Sequence, residues 1–362
     1  MSRLFDKPLV SIVMPAHNVD GSICRAVESL QRQTCENFEL LAVDLNSDDR
    51  TSDMLERMAD RDIRITILHQ SDDDSQLALN CALDQLRGTY LLFVRGNDWL
   101  EPSALEELLH VMEQSNSDLV LSSYYIDSYF GQSECISKQC RCTEESFDTQ
   151  ADFRAAAWRL FKEGQLDDLW GKLFKLNRVK QLNIHFRKQS FDGQCFVLDY
   201  VRDIERVATE AQPRYHHCIE GNNACRSQWE DGLYQQLQDE HKELLELYHH
   251  WGLDGDPASI EVIQRRYLKG FLGLMRRLCD SACKMPAGEK RKLVRQMVSD
   301  DAIQLAARMA RPEGRWDFLM LAAIRTRNIA LLMAGGSFGA HLMHHNAKMS
   351  FHKKNSAKYY GV

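Results

Sequence analysis

The sequence predicts an α/β domain, a mostly parallel sheet flanked by helices, followed by a helical carboxyl-terminal appendage. Three observations carry that prediction. Short apolar runs alternate with helix-period stretches through the first hundred residues. The apolar runs close on charged or turn-forming residues, and after residue 150 the periodicity becomes helical.

Val10 to Met14 forms the first strand pattern, stopped by Pro15 and followed by the polar loop Ala16-His17-Asn18. Ile23, Ala26, Val27 and Leu30 then recur at helical spacing. Phe38 to Asp44 is a second apolar run that ends on a carboxylate ahead of Asn46-Ser47-Asp48-Asp49. A helix around Met54-Leu55-Met58, a strand from Ile63 to Leu68 and a helix on Leu77, Leu79, Leu83 and Leu86 come next, before the run Tyr90 to Val94. In an open sheet of this kind ligands bind outside the carboxyl ends of the strands, where Asn18, Asp44 and Asp98 fall.

These segments resemble glycosyltransferase family 2. Its pattern runs S-I-I-V-P-x-Y-N, S-L-x-x-Q-T, E-I-I-V-D-D-G-S, N-x-G-x-x-x-A-R-N and G-x-Y-I-x-F-L-D-S-D-D-W-x-x-P. Here the corresponding stretches are Ser11 to Asn18, Ser29 to Thr34, Glu39 to Ser47, Ala78-Leu79-Asn80, and Gly88 through Pro102. Trp170-Gly171-Lys172-Leu173-Phe174 and Ile184-His185-Phe186 are similar to blocks of the members that build bacterial surface polysaccharides. The resemblance spans about 190 residues. It implies a GT-A (Rossmann-like) fold and inverting sugar transfer from a nucleotide-diphosphate sugar, a UDP-sugar foremost, to a glycan or lipid-linked acceptor.

By the same resemblance Pro15, Ala16, His17, Asn18, Asp44, Asn46, Arg95, Asn97 and Asp98 surround the nucleotide sugar, and Trp170 and Lys172 stand on the acceptor side. Asp98 and Asn97 would hold Mg2+ or Mn2+, and Asp192 would be the catalytic base, with His185 as a second candidate. The chain departs from the pattern at the positions that carry charge. Asp44-Leu45-Asn46-Ser47 keeps one acid of D-D-G-S, Leu79 takes the Arg position, and Asp72-Asp73-Asp74 replaces a turn. Arg95 and Asn97 stand where D-S-D supplies its two acids, a poor donor set for a hard cation, although Arg95 could replace the metal as a fixed positive charge. Asp192 matches a Glu of the family, and Gly193 occupies the position of its catalytic Asp. Two readings compete: a weakened transferase, or a catalytically inactive scaffold or regulatory partner of an active glycosyltransferase. A regulatory module that binds nucleotide sugar or glycan is the third.

Composition bounds these readings. A chain of 362 residues, 44% apolar, can bury a full core, and its expected division is a GT-A-like domain over 1–230 (a nucleotide-sugar half, 1–125, and an acceptor half, 151–230) before helices over 231–362. No run approaches the ~20 apolar residues of a spanning helix, so a cytoplasmic protein is expected. Eleven scattered cysteines suit reduced thiols; Cys135, Cys140 and Cys142 read as loop thiols, and His216-His217 as a surface pair on a helix. The net charge is -7, yet no acid occurs from Phe318 to Val362, where Arg325, Arg327, Lys348, Lys353, Lys354 and Lys358 accumulate. This basic tail, with its apolar stretches, could lie on an anionic membrane surface at the inner face of the membrane. Nucleic-acid binding is not expected, because no recognition motif accompanies the charge.

Overall fold

A computed structural model describes residues 7–70, 75–130, 134–187, 193–220, 229–312 and 314–342. The chain divides into two compact units, Met1–Ser128 with Cys135–Ile219, and Tyr129–Glu134 with Glu220–Val362.

The first unit opens with β1 (Val10–Ala16), α1 (Ile23–Gln31), β2 (Phe38–Asp44), α2 (Thr51–Ala59), β3 (Ile65–His69), α3 (Ser75–Gln85) and β4 (Tyr90–Phe93). It continues through β5 (Trp99–Leu100), α4 (Ala104–Gln114), β6 (Leu119–Phe130), β7 (Glu134–Cys140), β8 (Glu145–Phe147) and α5 (Gln150–Lys162). The last elements are β9 (Lys172–Lys175), α6 (Leu176–Gln181), α7 (Gly193–Val201) and β10 (Val207–Glu220). A 10-stranded sheet runs β3-β2-β1-β4-β9-β6-β10-β5, with β7 on β6 and β8 on β10. β1 pairs in parallel with β2 and β4, and β2 with β3. β9 lies antiparallel between β4 and β6, so β6 runs in the direction of the first four strands.

The central strands are apolar because helices cover both faces: Ile12, Val13, Met14, Leu40, Ala42 and Leu92 are fully buried. One buried polar knot fixes the register. Ser11 Oγ donates to Glu39 Oε1 at 2.6 Å, Arg87 N and Nε donate to the same carboxylate, and Gly88 N donates to Ser11 Oγ. A Cβ on Gly88 would lie 2.7 Å from Ser11 N, so glycine alone lets the turn into β4 close on β1. β1 runs through Pro15 rather than stopping at it: proline has no N–H to donate, but Pro15 O still accepts from Gly96 N.

Three expectations change in this unit. The helical reading after residue 150 misses β9 and β10. His216 and His217 sit on β10, not on a helix, and His216 is buried. Cys135 and Cys140 lie in β7, while Cys142 is buried beside Ser123, whose hydroxyl accepts the Cys142 N–H at 2.9 Å.

The second unit holds α8 (Leu233–His250), α9 (Pro257–Cys279), α10 (Ala287–Ser299), α11 (Asp301–Met309) and α12 (Arg315–Arg325), with helix continuing over 329–342. Its core gathers Phe271, Leu278, Val294, Met297, Ile303 and Ile324. Asp256 caps α9 through Ser259 N ahead of Pro257, and Asp300 caps α11 through Ala302 N and Ile303 N. Arg325, although exposed, donates to the carbonyls of Ala307 and Ala310 and so closes the end of α11. Lys348, Lys353, Lys354 and Lys358 lie outside the described residues, and no helix among the described residues is long and apolar enough to cross a membrane.

Candidate active site

The carboxyl ends of β1, β2 and β4 converge on three loops, and the residues expected around a nucleotide sugar line them. Asn18 and Asn46 both adopt left-handed backbone, with φ of 51° and 57°, a region asparagine tolerates. These turns lock together. Asn18 N donates to Ser47 Oγ at 3.1 Å, Asp48 N donates to Asn18 Oδ1 at 2.9 Å, and the His17 ring bonds the Leu45 carbonyl at 2.8 Å. Leu45 N in turn donates to Ala16 O. Asp44 ends β2 between them, its carboxylate taking Ser47 N at 3.2 Å with His69 Nδ1 at 3.6 Å.

Arg95-Gly96-Asn97-Asp98 leaves β4 and is pinned from two sides. Gly96 is packed so that a Cβ would lie 3.0–3.2 Å from Val19, Ala16 and Ile23. Arg25 Nη2 donates to Asn97 O at 3.0 Å, and Asn97 Nδ2 donates to Cys218 O at 2.8 Å. Asp98 is 0% exposed, and β10 saturates it: Tyr215 Oη donates to Oδ2 at 2.6 Å, His217 Nδ1 lies 3.2 Å from Oδ2, and Cys218 N donates to Oδ1 at 2.8 Å. Burial, then the Asp98 charge, pushes the Tyr215 phenol well above its ordinary pKa, so it stays a donor.

This donor set does not fit the expected divalent cation. A hard cation needs several unengaged oxygens, whereas both Asp98 oxygens already accept hydrogen bonds and the Asn97 amide points its nitrogen at β10. Among the described residues no group of three acidic, His or Cys side chains could hold a metal.

Both residues expected on the acceptor side are buried. Lys172 is 2% exposed, and its ammonium donates to Trp170 O at 3.2 Å. Burial brings its pKa down to about 8, with Asp168 and Asp167 the acids that hold it up. Trp170 is 6% exposed and lies under Arg95, whose guanidinium carbon is 5.5 Å from the ring centroid. Residues expected on the nucleotide side and on the acceptor side thus meet at this pair. Leu79 is fully buried, so its position faces the core, and Asn80 clamps Phe186 through two hydrogen bonds, 2.9 Å to its O and 2.8 Å from its N. Asp192 and Asp72 to Asp74 lie outside the described residues.

Sequence reasoning missed Tyr215, His216 and Asp127. His216 stacks between Trp99, 3.6 Å away, and Tyr125, 4.5 Å away, with Nδ1 2.8 Å from the buried Asp127 carboxylate. No local signal marks them, because their partners lie far away along the chain.

The fold and the sequence motifs are similar to those of family 2 glycosyltransferases. Residues 11–139 match the model described as Glycosyl transferase family 2, the family that the sequence motifs resemble. Along 312 residues the chain is 26% identical to the uncharacterized glycosyltransferase EpsJ of Bacillus subtilis, covering 83% of this chain and 86% of that protein. A shorter match, 33% identical over 122 residues, links 34% of the chain to 48% of the Escherichia coli UDP-Glc:alpha-D-GlcNAc-diphosphoundecaprenol beta-1,3-glucosyltransferase WfaP. Among solved structures, S. aureus TarS 1-349 in complex with UDP-GlcNAc superposes with a TM-score of 0.64 at 17% identity, over 91% of this chain and 90% of that one, a likeness of fold.

Proposed function

We propose that this protein transfers a sugar from a UDP-sugar to a glycan or lipid-linked acceptor in the assembly of cell-surface polysaccharide. The observation that carries the reading is Asp44, a carboxylate held at the carboxyl end of β2 by Ser47 N and flanked by the interlocked Asn18 and Asn46 turns. A carboxylate there suits the ring N–H of a uracil. Arg95, resting on Trp170, suits the diphosphate as a permanent cation that needs no recruited metal. The names of WfaP and TarS support the donor class and the lipid-linked acceptor.

A scaffold without turnover is the second reading, favoured by the commitment of Asp98 to β10. Calorimetric titration with UDP, then GDP, each with manganese and with chelator, followed by donor turnover, separates the two. UDP binding that ignores chelator together with sugar release supports the transferase; binding without turnover of any donor supports the scaffold, and binding to neither nucleotide refutes both site assignments. A peripheral membrane contact also belongs to this reading: Trp316, Phe318 and Phe338 are 42%, 63% and 49% exposed within a stretch of the chain almost free of acids. Co-sedimentation with phosphatidylglycerol vesicles, lost in Phe338→Glu, checks it.

A further inference from the structure

Gly193 opens α7 at the position where the family pattern carries its base. The space a side chain would fill there is already taken. A Cβ on Gly193 would lie 2.6 Å from Asp168 Oδ1, closer than side chains come unless the carboxylate moves aside, and 3.0 Å from Leu169 Cγ, a tight contact. A carboxylate therefore reaches the volume in front of α7 from the segment ahead of β9 instead of from α7 itself. Resting on the transferase reading above, we propose that Asp168 is the general base, a relocated carboxylate that stands in for the one absent at 193.

Three further observations support the assignment. Asp168 is exposed, so an acceptor hydroxyl can reach it, and Leu169 N donates to its Oδ1 at 2.8 Å, which holds the carboxylate in one orientation. Oδ2 accepts no hydrogen bond among the described residues. Two residues further on, Trp170 carries the Arg95 guanidinium, so the base and the cation proposed for the diphosphate flank one short segment. The amino-terminal end of α7 also favours a negative charge at this place.

The chemistry balances with these groups alone. Asp168 Oδ2 takes the proton of the acceptor hydroxyl as that oxygen bonds to the anomeric carbon. The bond from the anomeric carbon to the phosphate oxygen breaks, its electron pair leaves with the nucleoside diphosphate, and Asp168 returns its proton to solvent. Attack and departure on opposite faces invert the centre.

The test uses the full chain with UDP-glucose, UDP-galactose, UDP-N-acetylglucosamine and GDP-mannose, reading nucleotide release with and without acceptor, and UDP affinity by calorimetry. Asp168→Asn is expected to lower kcat at least 100-fold with UDP affinity within twofold of wild type, the protein still folded in its thermal melt. The swap Asp168→Gly with Gly193→Asp returns a carboxylate to α7 and is expected to recover at least tenfold over Asp168→Asn. Turnover in Asp168→Asn within threefold of wild type overturns this proposal and leaves the transferase reading standing. No turnover by the wild type of any donor, with UDP still bound, overturns both.

Discussion

Replacing Asp98 should unfold the protein more readily without touching nucleotide chemistry directly. The carboxylate is 0% exposed and satisfies Tyr215 Oη at 2.6 Å and Cys218 N at 2.8 Å, with His217 at 3.2 Å. Asp98→Ala strands two buried donors, each costing about 1–3 kcal/mol when left unpaired. Removing a buried charge recovers part of its desolvation cost, so the net expectation is about 3 kcal/mol. Equilibrium urea unfolding of the first unit, followed by tryptophan fluorescence, measures it. A cycle with Tyr215→Phe and the double variant isolates the pair, for which a hydrogen bond to a charged group implies a coupling of about 1.5–3 kcal/mol. Were Asp98 instead a metal ligand, saturating manganese would stabilise the wild type and not Asp98→Ala, with no coupling to Tyr215. A coupling below about 0.5 kcal/mol, or that manganese response, refutes the reasoning.

Lys172, with its pKa lowered from 10.5 to about 8 by burial, binds its proton more weakly folded than unfolded. Stability should therefore rise between pH 8 and 10.5, and Lys172→Met should stabilise at pH 7 by about 2–3 kcal/mol, the gap closing by pH 10.5 in chemical denaturation. His241, stacked on Tyr267 at 3.9 Å, has its pKa lowered by burial from 6.5 to about 4. The unfolded state gains the proton first, so the second unit loses stability as pH falls from 6.5 toward 4, by up to about 1.4 kcal/mol per unit, and His241→Phe should flatten that slope in thermal melts. Arg95→Ala should weaken UDP binding by about 1.5–3 kcal/mol in calorimetry, with chelator making no difference; unchanged affinity removes Arg95 from the diphosphate.

The strands that were legible in the sequence are those buried on both faces. β1, β2 and β4 read as unbroken apolar runs because helices cover them, and the polar turns after β1 and β2 announced the loops at their ends. β10 was not legible. Its sequence, with Glu210, Arg214 and two histidines, carries polar side chains whose partners lie far away: Tyr215 meets Asp98 across 117 residues, and His216 meets Asp127 across 89. No local pattern encodes such pairs, and adjacent histidines look alike on any exposed surface. The same distance hid the reorientation of Asp98, whose motif position promised a ligand while its partners turned it inward. Gly193 could be seen as a departure, but only packing shows that Asp168 fills its space.

The changes around β4 form one arrangement. A loop that recruits a cation must keep its carboxylates solvated and its backbone adjustable. Here Arg25 and Cys218 hold Asn97, α1 and β1 close on Gly96, and β10 consumes Asp98, so the loop is rigid and its acid is spent on structure. That loop carries Arg95, whose guanidinium rests on the indole of Trp170, a residue whose backbone carbonyl accepts from Lys172. Positive charge already in place needs no reorganisation when a diphosphate departs, whereas a site assembled from a metal must first fill. On the proposed transferase reading, the acids absent from the metal motif and the carboxylate of Asp168 belong together: with a guanidinium in place of the cation, a carboxylate on the neighbouring segment would serve the acceptor hydroxyl while its charge also favours the buried ammonium of Lys172.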